Sequence, residues 1–444
     1  MNDSNEGWRQ ARRQPSLRES YQTVPVPNHW PWWRKMLAFA GPGYLIAVGY
    51  MDPGNWATDL AAGSQFGFSL LCVVMISNLL AVLLQSLATK LGIVTGRDLA
   101  QACRDHFSFG TSMFLWVICE IAICACDLAE VIGSAIALKL LFNIPVFWGI
   151  LLTACDVFII LYFQKLNFRY MEAFVVTLIL VIAGCFALEI FWSNPNFSNI
   201  LKGFVPNTDI LTNTDMLYVS IGILGATVMP HNLYLHSSIV QTRKYAADQA
   251  GKRVAIKYAM IDSAIALSMA FFINAAILIM AAAVFYSHGH HDVAEIQDAY
   301  ALLTPLLNAP LASTLFALAL LASGQNSTLT GTLAGQIVME GFLDIRLRPW
   351  IRRLLTRGIA IIPAILCVAW YGEHGLGRLL IFSQVVLSFQ LAFAVIPLVY
   401  FTSDRKKMGV FMNKTWLKVL AWLSALVIVL LNLKYITDYL LSLF

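Results

Sequence analysis

Long apolar segments separated by short polar ones recur along almost the whole chain. Each apolar segment approaches or exceeds the about 20 residues that an α-helix needs to cross the hydrocarbon core of a bilayer. The pattern therefore predicts an all-α integral membrane protein with about eleven transmembrane helices. The predicted spans are residues 39–64, 66–91, 109–140, 146–164, 169–192, 214–240, 259–287, 301–342, 354–371, 378–401 and 415–442.

Lysine and arginine are unevenly distributed among the segments that connect the predicted spans. They precede the first span and follow the fourth, sixth, eighth and tenth, whereas residues 193–213 and 288–298 are nearly free of them. Cytoplasmic loops are enriched in Lys and Arg, so this distribution predicts a cytoplasmic N-terminus and, with an odd number of spans, a C-terminus outside. The polar and basic residues 1–35 are expected to form a flexible cytosolic tail.

The composition supports a membrane protein and disfavours several other classes. Of the 444 residues, 59% are hydrophobic and only 12% are charged, whereas soluble proteins carry charge on roughly a quarter of their residues. The net charge of +5 lies in short loops, which is not typical of a nucleic-acid-binding surface. The eight cysteines lie mostly in apolar segments and do not form the pattern of a disulfide framework. The chain has no nucleotide-binding loop, which disfavours a primary pump or an enzyme.

Two of the predicted spans are interrupted by proline. Pro53 interrupts the first span directly after Asp52, and Pro230 interrupts the sixth. A proline inside a helix donates no backbone hydrogen bond and frees the carbonyl four residues earlier, here those of Gly49 and Ala226. Paired interruptions five helices apart are typical of inverted-repeat transporters, whose substrate site lies near the bilayer midplane. The sequence therefore predicts a binding site between the first and sixth spans.

The side chains beside these interruptions favour a cation as the ligand. Asp52 is an ionisable residue inside a predicted span, and such residues are usually functional. Its carboxylate, the amide of Asn55 and the freed carbonyls form an oxygen set that suits magnesium, calcium or manganese. The thioether of Met229 would favour a softer transition metal, although a core methionine more often only fills space. The residues alone leave the softness of the cation open.

The third predicted span carries three carboxylates in an otherwise apolar run. Their spacings of seven and three residues place them on one helical face. Such a face is typical of a proton relay, but structural salt bridges to the ninth span would require the same residues. Histidine is the side chain whose ordinary pKa lies near neutral pH, so His231 could take part. The candidate proton pathway comprises Asp52, Glu120, Asp127, Glu130, His231, Arg352 and Arg353.

Three amides in predicted spans have two possible roles. Asn78 and Gln85 are seven residues apart in the second span and share a face, and Asn274 lies in the seventh. They either line an outer vestibule or form hydrogen bonds between helices.

Four segments together resemble the Nramp (natural resistance-associated macrophage protein) family of proton-coupled manganese and iron transporters. The likeness covers roughly residues 36–402, and the chain differs from the family in having Ala392 in the tenth span where a proline is usual. The segments are Asp52–Asn55, Met229–Ser237, Gly324–Gly341 and Ser383–Ser388.

The resemblance implies a LeuT-type fold made of two inverted repeats of five helices. Residues 36–192 would form the first repeat, residues 193–402 the second, and residues 403–444 an additional C-terminal helix. It also implies a multi-pass location in a bacterial inner (plasma) membrane. Family members that lack the methionine tend towards magnesium or aluminium, so Met229 indicates the transition-metal branch. The implied metal-binding residues are Asp52, Asn55, Met229, Ala226, Gly49 and Gln384.

The expected function is therefore the import of manganese or iron by proton-coupled alternating access. The expected partners are the metal ion, the proton and the lipid bilayer, with no cofactor, no nucleic acid and a functional monomer. Two alternatives remain. An amino-acid or amine carrier of the same architecture would present small residues and a helix N-terminus to a carboxylate. A cation channel would usually build its filter from repeated segments, and the chain has no such repeat.

Overall fold

The eleven predicted spans correspond to eleven helical elements in the computed structural model. The structure describes residues 7–442 except 12, 28, 157, 159–161, 163–167, 292 and 294. Elements α1 and α6 are each divided in two. The bounds are α1a (Pro42–Gly49), α1b (Pro53–Phe66), α2 (Leu71–Thr95), α3 (Phe109–Phe142), α4 (Val146–Leu152, extended by a 3₁₀ turn to Asp156), α5 (Phe168–Ser193), α6a (Thr214–Val228), α6b (Pro230–Ile239), α7 (Gln249–Val284), α8 (Ala312–Leu343), α9 (Pro349–Tyr371), α10 (Leu376–Thr402) and α11 (Thr415–Ser442).

Short elements connect these helices. Two-residue strands β1 (Val24–Pro25) and β2 (Arg243–Lys244) pair in parallel. The short helices are Trp32–Phe39, Leu99–His106, Phe197–Gly203, Asp209–Thr212, Ile296–Leu307 and Arg405–Met408, and further 3₁₀ turns cover Val240–Thr242, Tyr286–His288, Glu373–Gly375 and Gly409–Phe411.

Within the described residues, eight helical elements are long and apolar enough to cross a membrane. They are α2, α3, α5, α6 taken across its division, α7, α9, α10 and α11. The other three elements, α1, α4 and α8, do not meet this criterion of length and apolarity. Element α1 is divided into two shorter helices, the continuous description of α4 ends at Asp156, and the polar segment Ser323–Thr332 interrupts the apolar run of α8.

Two predicted spans differ from the structure or lie partly outside it. The prediction of one helix over residues 301–342 is wrong, because Asn308 adopts a left-handed backbone conformation with φ +52° and ends the preceding helix. Pro310 follows, and α8 begins at Ala312. Hydropathy cannot detect such a break, since the apolar run continues across it. Much of the second half of the predicted fourth span, with Lys165 after it, lies outside the described residues.

The N-terminal segment is packed over its described residues, contrary to the expectation of a flexible tail. Its described residues between 7 and 27, here called the strap, cross the face of the molecule from which α1a begins, here called the N-terminal face. Trp8 lies under the guanidinium of Arg97 at 4.6 Å from the ring centroid. Ser16 Oγ donates to Asp98 Oδ2 at 2.7 Å. Pairing of β1 with β2 then attaches the strap to the connection between α6 and α7.

Docking of the strap is expected to weaken as the pH rises. Burial raises the pKa of Asp98 to about 6, opposed by hydrogen bonds from Gln101 and Ser16 and by Arg104, and reinforced by Asp105. A solvated aspartate titrates near pH 3.9, so the docked form binds a proton more tightly than an opened form in which both the strap and the helix Leu99–His106 have released Asp98 to water. Docking is therefore strongest below about pH 4 and loses stability, by less than about 3 kcal/mol, as the pH rises through about 6.

Limited proteolysis within residues 13–23 at pH 5 and pH 7.5 would measure this release. The Asp98→Asn variant is the control for the protease's own pH dependence, because asparagine still caps the helix that begins at Leu99. The ratio of wild-type to variant cleavage rates should increase with pH. A ratio that does not change with pH would contradict the assignment to Asp98.

Candidate metal site between α1 and α6

The division of α1 follows directly from its sequence. Element α1a ends at Gly49, and Asp52 begins α1b in an extended conformation, with φ −69° and ψ 166°. The carboxylate caps the new helix, because Oδ1 accepts a hydrogen bond from the backbone N–H of Asn55 at 2.8 Å. Pro53 occupies the first helical position, where its missing N–H costs nothing. The motif thus ends one helix and begins the next at the centre of the protein.

The division of α6 has a different geometry. Met229 alone joins α6a to α6b, with φ +23° and ψ 103°, and Pro230 again begins the second helix. Positive φ at a residue other than glycine is uncommon, costs of order 1–3 kcal/mol and is often found at functional sites. The backbone is therefore strained at Met229, the residue that carries the thioether.

Three oxygen atoms from the two divided helices converge on one point. Asn55 Nδ2 donates to Asp52 Oδ1 at 2.8 Å, to the Ala226 carbonyl at 3.1 Å and to the Gly49 carbonyl at 3.4 Å. These two carbonyls are the ones that the proline positions single out. A single amide donor lies among these acceptors, in an arrangement that a cation could also satisfy.

Met229 and Gln384 lie at the edges of this oxygen cluster. A Cβ on Gly49 would lie 3.2 Å from Met229 Sδ, and the sulfur accepts a hydrogen bond from Asn232 Nδ2 at 3.6 Å. The amide of Gln384, on α10, occupies the space that a Cβ on Gly54 would need. A Cβ on Gly49 would also lie 2.3 Å from Asn232 Nδ2, so glycine is required at both positions for α6b and α10 to approach α1 this closely.

The site is enclosed and rich in acceptors. Asp52, Met229 and Gln384 are completely buried. Asp52 Oδ2 and Gln384 Oε1 have no hydrogen-bond partner among the described residues. A buried acceptor without a partner costs about 1–3 kcal/mol, and a bound cation would remove this cost for both. The structure thus brings together all six residues that the sequence analysis assigned to metal binding.

The three predicted vestibule residues are buried in this structure. Asn274 Nδ2 donates to the Tyr50 carbonyl at 2.7 Å and to Asn55 Oδ1 at 3.2 Å. Gln85 donates to the Tyr50 hydroxyl at 2.8 Å and pairs with a histidine of α6b, His236, at 3.0 Å. Asn274 and Gln85 thus form hydrogen bonds between helices, one of the two roles considered for them. Asn78 is also buried.

The carboxylates of α3 pair with arginines of α9. Glu120 Oε2 lies 2.8 Å from Arg352. Arg353 pairs with Asp127 and, at 2.8 Å, with Glu130. Except for Glu120, which is partly exposed, these side chains are buried, so the pairs link α3 to α9 in an apolar setting. The structure thus contains the ion pairs that the structural alternative requires, and the same residues remain available for a relay.

This ion-pair cluster lies next to the candidate metal site. Pro53 of α1b occupies the space that a Cβ on Gly133 would need, so α3 packs directly on the division of α1. Cys126 of α3 packs in one apolar cluster with Met229, and its sulfur lies 3.9 Å from Glu130 Oε1. His231 is buried, and its Nδ1 has no partner among the described residues.

The sequence analysis missed two members of the cluster. Asp156 of α4 pairs with Arg357 of α9 and lies 3.4 Å from Arg353. Both residues could have been found from the sequence. Arg357 lies one helical turn after Arg353, and Asp156 is an ionisable residue within a predicted span. Two further buried acids, Asp59 and Glu189, have carboxylate oxygens without partners among the described residues.

Two divided helices that enclose a polar site within a multi-pass membrane fold define a transporter of the LeuT type. The fold alone is shared with Mhp1, a nucleobase-cation-symport-1 family transporter, at a TM-score of 0.60 and 16% identity, over 98% of this chain and 92% of that one. A solved manganese transporter from Eremococcus coleocola is more similar, with a TM-score of 0.89 and 43% identity over 96% of this chain and 91% of that one.

Sequence comparison gives the family. The model described as natural resistance-associated macrophage protein-like, or Nramp, matches residues 43–438. A divalent metal cation transporter, MntH, from Listeria monocytogenes is 60% identical over 437 residues, which cover 98% of this chain and 97% of the relative. The chain therefore belongs to the Nramp family, and it is a transporter rather than an enzyme.

Proposed function

We propose that this protein imports divalent transition-metal cations, manganese or iron, by proton-coupled alternating access. The observation that carries the proposal is the convergence of Asp52 Oδ1 with the carbonyls of Gly49 and Ala226 beside the Met229 thioether. The names of the Listeria and Eremococcus relatives support a divalent metal substrate. We further propose that the protein acts as a monomer in a bacterial inner membrane, with the N-terminal face in the cytoplasm and the C-terminus outside.

The donor set explains the preference for a transition metal. The metal would be held by Asp52, Met229, the two carbonyls and the side-chain oxygens of Asn55 and Gln384. Asn55 now points its Nδ2 at the acceptors, so its amide must rotate to present Oδ1 to a metal. This rotation exchanges the hydrogen bond with Asn274 for a metal bond. Sulfur binds manganese and iron better than magnesium or calcium.

The N-terminal face is closed in this conformation by contacts to α1a and the residues before it. Asp262 of α7 accepts a hydrogen bond from the Gly43 N–H at 2.6 Å. Arg243 pairs with Glu172 at 2.7 Å and donates to the Ala38 carbonyl at 2.9 Å. Asp262, Arg243 and Glu172 are all buried. To open the site towards the cytoplasm, α1a and the residues before it must break these hydrogen bonds. We therefore propose that Asp262, Arg243 and Glu172 form the inner gate.

Proton coupling would begin at Asp52, because a bound cation favours the ionised form of a nearby carboxylate. The released proton would move along α3 from Glu130 through Asp127 to Glu120. The ten helical steps from Glu130 to Glu120 span about 15 Å in the direction of the N-terminal face. His231, together with Arg352 and Arg353, would set the electrostatic potential along this route.

Substitution of Met229 by alanine tests the proposed selectivity. We expect the uptake ratio of manganese to calcium to fall at least about tenfold, because sulfur contributes only to the softer ion. The matched control is Met280→Ala, which truncates another fully buried methionine, on α7. Manganese uptake into proteoliposomes is measured with calcium and, separately, with magnesium as the competitor. This gives the selectivity ratio for each variant. An unchanged ratio in the Met229 variant would refute the role of the thioether, and non-saturable uptake would favour a channel.

A further inference from the structure

A cavity of about 1300 Å³ lies at the N-terminal face. It is bounded by the strap, the helix Trp32–Phe39, the beginning of α5 and the end of α8. Its lining residues belong to none of α1, α6 and α10, the elements that hold the metal-binding residues. The cavity therefore needs an explanation of its own.

The lining of this cavity is strongly basic. Arg18, Arg34, Arg346 and Arg348 line it and form no salt bridge with any described residue. A fifth arginine, Arg169, also lines it but pairs with Glu172 and donates to the carbonyls of Leu37 and Ala40. Among the described lining residues, two carboxylates, those of Glu19 and Glu340, oppose this charge. Such a cavity repels a divalent cation and attracts an anion.

The cavity also has apolar lining residues and an open side. Leu37 and Tyr170 line the cavity although their side chains are 58% and 61% exposed, so they border its open side. Leu329 and Leu333 of α8 also line it. In a membrane, exposed apolar side chains on these helices face lipid. The neighbouring exposed Trp32 is typical of the headgroup layer.

We propose that this cavity binds an anionic phospholipid from the leaflet at the N-terminal face. The phosphate headgroup contacts the arginines on the strap, on the helix before α1a and on the connection between α8 and α9. The acyl chains leave along Leu37 and Tyr170. A soluble anion would use the arginines but not the apolar opening, and a zwitterionic lipid would use the opening but bring no net charge to the arginines. Only an anionic lipid matches both features.

The test measures lipid binding by the purified, metal-free protein, so its result does not depend on transport. Native mass spectrometry in a neutral detergent compares phosphatidylglycerol with phosphatidylcholine. We expect the anionic lipid to bind at least about tenfold more tightly. The double variant Arg346→Gln/Arg348→Gln should weaken its binding about 25-fold, at about fivefold per basic residue.

The matched control is Lys414→Gln/Lys418→Gln, which removes the same charge from exposed residues near the same face but outside the cavity. It should change the affinity less than about twofold. If the first pair prevents folding, Arg18→Gln/Arg34→Gln provides a second measurement at the opposite wall. Equal binding of the two lipids, an equal loss in the control, or full displacement by equimolar glycerol phosphate would each overturn the proposal.

Discussion

Replacing Asp52 with asparagine is expected to reduce manganese uptake at least about 100-fold. Asp52 supplies the only carboxylate among the proposed metal-binding residues, and a divalent ion that leaves water without a compensating charge pays several kcal/mol. A loss of about 2.7 kcal/mol already gives two orders of magnitude in affinity. Asparagine has nearly the same shape and still caps a helix N-terminus, so α1b should begin normally.

Asp59→Asn is the matched control for this experiment. Asp59 is a second buried acid of α1b, about two turns beyond Asp52, and it is not one of the proposed metal-binding residues. Manganese uptake into proteoliposomes and calorimetric titration of the purified variants give transport and binding separately. We expect the Asp59 variant to keep most of its manganese affinity. Near-normal manganese binding by the Asp52 variant would show that the metal site lies elsewhere.

Replacing Asp127 with asparagine is expected to abolish metal-dependent proton uptake while some metal uptake remains. The substituted amide could still accept a hydrogen bond from Arg353 but could no longer take up and release a proton. Metal uptake and internal acidification, recorded together in the same proteoliposomes, separate the two fluxes. Proton flux at the wild-type level would refute the relay and leave the cluster as structural ion pairs.

The control for charge loss within the same cluster is Asp156→Asn. Asp156 shares Arg353 with Asp127 but lies on α4 rather than on the predicted route along α3. If the cluster only holds the helices together, the two substitutions should have similar effects on both fluxes. If it conducts protons along α3, only the Asp127 variant should lose proton uptake. Thermal unfolding of both variants shows whether the removal of one buried charge destabilises the fold.

The centre of the metal site could be predicted from sequence because its geometry arises locally. Pro53 and Pro230 remove specific hydrogen bonds, so the carbonyls that they free are known by counting four residues back. Asp52 and Asn55 are close in the chain and share one capping motif. Only the meeting of the two halves depended on tertiary packing, and the resemblance to a known family supplied Gln384.

The arginine and carboxylate cluster could be predicted only in part. Three carboxylates on one face of α3 are visible from their spacing, since a single helix sets their relative positions. Their pairing with α9, and the addition of Asp156 and Arg357, depend on how several helices pack against one another. Buried charges need partners, so the sequence shows that partners exist without showing which ones they are.

By itself, the sequence determined the all-helical membrane fold, the two divided helices and the chemical types of the groups at the divisions. These features follow from hydropathy, from proline and from side-chain chemistry, all of which act within one helix. Only the tertiary structure decided that the N-terminal segment is docked, that α8 begins after Asn308 and that a basic cavity lies beside the strap. Each of these depends on contacts between residues far apart in the chain or on a single backbone angle. The pattern of apolar and polar residues does not predict such contacts or such an angle.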